Sequence, residues 1–185
     1  MREMLKHLLR VQERASKLSF EQARVFCLLC AERQKFAYDK STTVVRPEDS
    51  DRARKYLDAL WLQNVPLEPV PLIEATFDAE DAAANFIYAL NAITEINLIN
   101  YPLSCKVVAE FSMNILDSLA YSVLRIPVGS VSDEAVDSSL FVSTEIARQS
   151  QDLDELARTV LPIDFEAFKA KSQIDITLGA WFSED

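Results

Sequence analysis

The chain has 185 residues, 49% apolar and 26% charged, so it can bury a core of its own without a disulfide or metal staple. Only two glycines occur, Gly129 and Gly179, which argues against glycine-rich phosphate loops and dinucleotide fingerprints and points to an all-α fold, since helices need no internal glycine. The formal charge of −10 is uneven: residues 1–60 hold 13 basic and 9 acidic residues, residues 61–185 hold 6 and 20, and so acidic a surface repels nucleic acid.

Apolar residues recur at spacings of three and four almost throughout, which predicts one domain over residues 1–185, a bundle of six to eight helices. A first helix is expected over residues 3–17, with Leu5, Leu8, Leu9 and Ala15 inward and Lys6, Arg10, Glu13, Arg14 and Lys17 around the rest. Ser19 should cap a second, because Gln22 three residues on completes a capping box, and this helix should run to about Tyr38. After the polar connection "DKSTTVVRPEDSD", the stripe Ala53, Tyr56, Leu57, Leu60 and Trp61 marks a third. "NVPLEPVP" places Pro66, Pro69 and Pro71 within six residues, which reads as an extended crossover inside the domain.

Asp78 is expected to open a fourth helix, with Glu80 and Asp81 favoured at its positive start. Phe86, Leu90, Ile93 and Asn97, widened by Ile87, Ala89, Ile96 and Ile99, make it nearly apolar all round. A fifth should start near Pro102, carry Val107, Val108, Phe111, Ile115, Leu119 and Leu124, and stop before Pro127 and Gly129. Ser132 should start a sixth with Asp133 and Glu134 in its first turn, followed by short helices at 154–160 and 164–171. The tail, residues 174–185, either docks through Trp181 and Phe182 or is mobile.

The stretch "FCLLCAER" is the one that looks like a chemical motif. Cys27 and Cys30 fall in the middle turns of the second helix, away from the N-terminal amides that would lower a thiol pKa, among apolar neighbours that raise it. A zinc site needs four ligands, and beyond these two only Cys105 and His7 are on offer. Free core cysteines and a reducing, cytoplasmic setting follow, with no metal and no cofactor. His7, the sole histidine, sits among basic residues with no marked nucleophile. Glu95 and Glu110 are the only carboxylates to name as an acid and base pair, and each reads better as a surface charge. Phe26, Phe36, Tyr38, Tyr56 and Trp61 read as packed helix faces, and an Arg33 to Asp58 bridge is expected between the second and third helices. No catalytic residue is predicted. The N-terminal residues, with Arg2, Lys6 and Arg10 spread among apolar ones, do not read as a signal peptide, and no apolar run reaches the roughly 20 residues of a membrane span.

"FCLLCAER", the aromatics Phe36 and Tyr38 and then "DSDRARKYLDALW" resemble the YjaG-like family of small bacterial helical proteins, a domain of unknown function numbered 416. The resemblance covers about residues 5–61; "YALNAITEINLIN" and "SSLFVSTEIARQS" fit later helices in pattern. Gln34 and Lys35 depart from it, standing where the family tends to have a methionine and a proline-asparagine turn. The resemblance implies an α-helical bundle and no particular activity.

Charge is then the feature left to select a partner. The expected function is a non-enzymatic immunity-type inhibitor that masks the basic cleft of a nuclease-like toxin with Asp78, Glu80 and Asp81, Asp133, Glu134 and Asp137, and Asp152, Asp154 and Glu155. The alternative is a housekeeping YjaG-like protein, a homodimer built through the apolar fourth or fifth helix.

Overall fold

The computed structural model describes residues 2–40, 47–62, 82–124 and 139–174. These form seven helices and no strand, an all-α bundle: α1 (Glu3–Ala15), α2 (Phe20–Lys40), α3 (Pro47–Trp61), α4 (Ala82–Thr94), α5 (Tyr101–Leu124), α6 (Leu140–Arg158) and α7 (Phe165–Ile174). The proline-rich crossover, Ser132 as a helix start and the 175–185 part of the tail lie outside the described residues.

Helix starts follow local chemistry. At α2 the capping box closes in both directions, Gln22 N donating to Ser19 Oγ at 3.2 Å and Ser19 N to Gln22 Oε1 at 2.7 Å. Ser139 Oγ accepts from Val142 N at α6, and Asp164 Oδ1 from Ala167 N at α7. Pro47 is the first residue of α3, where its missing N–H costs nothing; α3 thus begins inside the stretch expected to be a connection. Between α4 and α5, Asn97 Oδ1 accepts from the amides of Ile99 and Asn100, while Asn100 Oδ1 accepts from Asn97 N. This interlocked turn ends α4 at Thr94, so Asn97 and Ile99, expected on its apolar face, are exposed.

α2 is the central helix. Seven consecutive residues, Val25 to Ala31, are buried, a pattern that requires neighbours on every side. These are α3, α4, α5, α6 and α7, while α1 lies against α5 and α6. Phe26, Tyr38, Tyr56 and Trp61 are core residues as expected, and Phe86, Leu90, Ile93, Val108 and Met113 bring α4 and α5 into the same core. Burying each large side chain contributes about 1.5–3 kcal/mol.

Two expectations fail here. Leu5 and Leu9 are exposed on α1; the buried stripe is His7, Leu8, Val11 and Ala15. A polar histidine takes the place of a leucine because α6 offers it a partner. Nor is there a separate helix at 154–160: α6 is continuous from Leu140 to Arg158, with Asp154 and Glu155 in its last turns.

The directions of the helices define two ends. At the first, Tyr101 Oη donates to Leu18 O at 3.2 Å, and Gln22 Nε2 donates to Leu156 O at 2.7 Å and Thr159 O at 3.0 Å. The α1–α2, α4–α5 and α6–α7 turns therefore share this corner end. At the far end Arg2 pairs with Asp117, Tyr38 stacks on Phe86 at 4.8 Å and Asn114 Nδ2 donates to Asn85 Oδ1. The starts of α4 and α6, Ala82 and Ser139, lie there too, because both helices run antiparallel to α2 and α5.

Candidate functional site

The densest polar constellation is a buried seam joining α1, α2 and α6. Arg33 projects from α2 and is 4% exposed. Its Nε donates to Glu145 Oε1 at 3.1 Å, its Nη1 to Asp152 Oδ2 at 2.7 Å and its Nη2 to Cys30 Sγ at 3.4 Å. Glu145, Gln149 and Asp152 stand at i, i+4 and i+7 of α6, so one helical face carries all three. Gln149 Nε2 donates to Glu145 Oε1 at 2.9 Å, which turns its Oε1 toward His7 Nε2 at 2.8 Å. Because Gln149 Oε1 only accepts, His7 Nε2 is the donor in that contact. The expected Arg33 to Asp58 bridge does not form; Asp58 pairs instead with Lys169 of α7 at 2.9 Å. Two acceptors on α6 already occupy the guanidinium fork, and a buried arginine needs that pairing more than a half-exposed Asp58 does.

Electrostatics in the seam follow burial. Burial pushes the Glu145 carboxyl above its usual range, against the pull of Arg33, and burial pushes His7 down, reinforced by Arg10 and Arg14 against the Gln149 bond. A carboxyl, a guanidinium and a neutral imidazole are thus held in one chain without an open face.

His7 carries a pH prediction. Its folded pKa is lowered, so the unfolded chain binds the extra proton first as pH falls below about 6.5. The stability His7 confers is present above that value and declines toward its lower folded pKa, with a slope of up to about 1.4 kcal/mol per pH unit. Urea midpoints compared between pH 7.5 and 5 should therefore fall further for the native chain than for His7→Asn; equal slopes would contradict the assignment.

A second cluster joins α2 to α3. Trp61 Nε1 donates to Glu32 Oε1 at 2.9 Å, with Lys35 Nζ 4.0 Å from the other oxygen. Burial, foremost, raises Glu32 above the usual carboxylate range; Lys35 and the Trp61 bond oppose it. A third contact ties α2 to α5, where Gln34 Nε2 donates to Ser112 Oγ at 2.8 Å. Cys27, Cys30 and Cys105 are free and buried, as expected, and the Sγ atoms of Cys27 and Cys105 lie 3.6 Å apart. Burial raises the Cys27 and Cys30 thiols well above their ordinary value, which suits packing and opposes nucleophilic use. Among the described residues no three His, Cys, Asp or Glu side chains are grouped to hold a metal ion, and no helix is long and apolar enough to cross a membrane.

Of the acidic residues singled out from sequence, Asp152 faces inward onto Arg33 and is no part of an acidic surface. Asp154 and Glu155 are more exposed, and each has a partner within the chain, Arg14 and Lys171 respectively. Asp78, Glu80, Asp81, Asp133, Glu134 and Asp137 lie outside the described residues. Glu95 sits in the α4–α5 turn and Glu110 on α5, with no hydrogen bond or ion pair joining them among the described residues.

These pairings explain where the charge asymmetry goes. Basic residues of α1 and α2 meet acidic residues of α5 and α6, as Arg2 with Asp117, Arg14 with Asp154 and Arg33 with Glu145 and Asp152. The described residues hold 18 acidic and 17 basic side chains, leaving 11 acidic and 2 basic in the remainder of the chain. The helical frame is nearly neutral. No family model matches the chain, and neither a curated protein nor a solved structure matches it.

The seam was partly readable beforehand. In "STEIARQSQDL" three polar residues, Glu145, Gln149 and Asp152, occupy one face beside Val142, Leu153 and Leu156, a sign that polar groups point inward. His7 gave no such signal, because its partner lies 142 positions away.

Proposed function

We propose that the protein is a non-enzymatic binding domain, an immunity-type inhibitor that neutralises a basic, nuclease-like toxin. The observation that carries this reading is the division of charge: the frame compensates itself, and residues 63–81 and 125–138, which contain Asp78, Glu80, Asp81, Asp133, Glu134 and Asp137, carry −7 of the −10. The first described residues after these two clusters, Ala82 and Ser139, both start helices at the far end of the bundle. Two acidic stretches that lead in sequence into helix starts at one end of the frame suit a basic cleft, whose phosphate-binding groups they would occupy while steering association. Asp152, Asp154 and Glu155 are framework residues in this reading.

The test uses a basic nuclease domain encoded beside this chain and titrates binding at rising salt. Neutralising Asp78, Glu80, Asp81, Asp133, Glu134 and Asp137 to their amides should weaken binding about 100-fold or more, whereas Asp154→Asn with Glu155→Gln should change it much less. Affinity indifferent to salt, or equal loss from both sets, defeats the proposal.

The YjaG-like resemblance supports a shared framework rather than a shared site. Its residues Glu32, Arg33, Asp58 and Trp61 are all spent on contacts within the bundle. The α4 and α5 faces considered for a dimer are likewise largely used inside the chain, through Phe86, Leu90, Ile93, Cys105, Val108 and Met113.

A further inference from the structure

The exposed large apolar side chains are unevenly placed. Five of them sit on two turns at the corner end: Leu98 at 75% exposure, Ile99 at 93% and Leu103 at 50% around the α4–α5 turn, and Val160 at 83% and Leu161 at 50% on the α6–α7 turn. Both turns flank the same α1–α2 corner, held by the Tyr101 to Leu18 bond on one side and the Gln22 bonds to Leu156 and Thr159 on the other. Nothing in the local chemistry of the Asn97–Asn100 turn requires isoleucine or leucine at its tip; polar residues would serve the turn better.

We propose that this corner end is the surface through which two copies of the chain associate, end to end, as a symmetric dimer. The area fits. Burying an aliphatic side chain of this size removes roughly 100 Å² of apolar surface from water, so the five partly exposed chains offer about 350–400 Å². A standard interface hides about 800 Å² per partner, of which somewhat over half is apolar, roughly 450 Å². Pro162, also exposed on the α6–α7 turn, lies beside the five.

The charge around this end suits a second copy of the same face. Around this end both signs of charge occur, basic Lys17, Lys106 and Arg158 beside acidic Glu13, Glu21, Glu95, Asp164 and Glu166, so the face can meet itself without strong repulsion. Ala82 and Ser139, the first described residues after the two acidic stretches in sequence, start their helices on the far end. Asp117, which pairs with Arg2 there, is 16 residues along α5 from Tyr101, or about 24 Å at 1.5 Å per residue. An end-to-end dimer therefore keeps the two far ends outermost, several screening lengths apart.

Sedimentation of the full chain between about 1 and 100 μM decides the matter. The native chain should be a dimer, and Ile99→Asp and Val160→Asp, each at an exposed position, should raise its dissociation constant about 100-fold or more with far-UV circular dichroism unchanged. Leu140→Asp, 68% exposed at the far end, should leave the dimer intact. Replacing the six acidic residues by amides should also leave it intact, which separates this proposal from the toxin-binding one. A native chain that stays monomeric overturns the proposal, including one that floats with phosphatidylcholine vesicles and so assigns the end to a lipid surface. A dimer indifferent to both corner variants overturns it as well.

Discussion

Replacing Arg33 with methionine should destabilise the fold by about 3–5 kcal/mol, read as a fall in the urea midpoint at pH 7. The loss is not the value of the ion pair itself, since taking three charges out of water costs much of what their attraction returns. It is the cost of leaving Glu145, 1% exposed, and Asp152 without their guanidinium. One oxygen of Glu145 already lacks a partner among the described residues, so little is available to compensate. The same reasoning predicts a rescue. Arg33→Met combined with Glu145→Leu and Asp152→Leu removes every charge of the cluster and should recover most of the loss, as apolar replacements of buried ion groups do elsewhere. A single Arg33→Met variant costing less than about 1 kcal/mol would show that the seam is not formed as described.

Trp61→Ala should cost a similar amount, about 3–5 kcal/mol, because the indole is among the largest fully buried side chains and is the last residue of α3. Trp61→Phe separates packing from hydrogen bonding. It keeps most of the volume but withdraws the 2.9 Å donor from Glu32, leaving a buried carboxylate without its hydrogen-bond donor and with Lys35 4.0 Å away, for about 1–3 kcal/mol. Pairing Trp61→Phe with Glu32→Met should return part of that cost, since the unsatisfied oxygen goes with the carboxylate. Strict additivity of the two single variants in denaturant unfolding would sink this account of the α2–α3 contact.

How much of this was legible beforehand depends on the range of the interaction. The Ser19–Gln22 capping box closes over three residues, and both halves form as the local pattern says. Asp164 caps its helix for the same reason. The all-helical class, the buried cysteines and the aromatic core follow from composition and 3.6-residue periodicity, which burial enforces on any amphipathic helix. Errors appear where periodicity is ambiguous. Leu5 and Leu9 fit an apolar stripe as well as Val11 does, and only the position of α6 decides that His7 and Val11 turn inward. Ile96 and Ile99 continue the α4 pattern, but two asparagines hydrogen-bonding the backbone end the helix first.

Pairing was the part least readable. Arg33 was expected to meet Asp58, on the helix next in sequence. It meets Glu145 and Asp152 on α6, 112 and 119 positions away. For the same reason the acidic residues 152, 154 and 155 look like a free surface patch in sequence, whereas in the fold Asp152 is an inward counter-ion of Arg33 and Asp154 and Glu155 pair at the surface with Arg14 and Lys171.

By itself, then, the order of residues determined what each segment becomes: which stretches coil, where most helices start and which sulfurs and rings seek an apolar interior. These outcomes depend on dihedral preferences, caps and burial period, all set within a few positions. Which charges cancel one another, and which remain to face a partner, was decided only when α1, α2, α5 and α6 packed together, because Coulomb attraction in a buried site depends on separation in space and on the exclusion of water, and neither is written in the spacing along the chain.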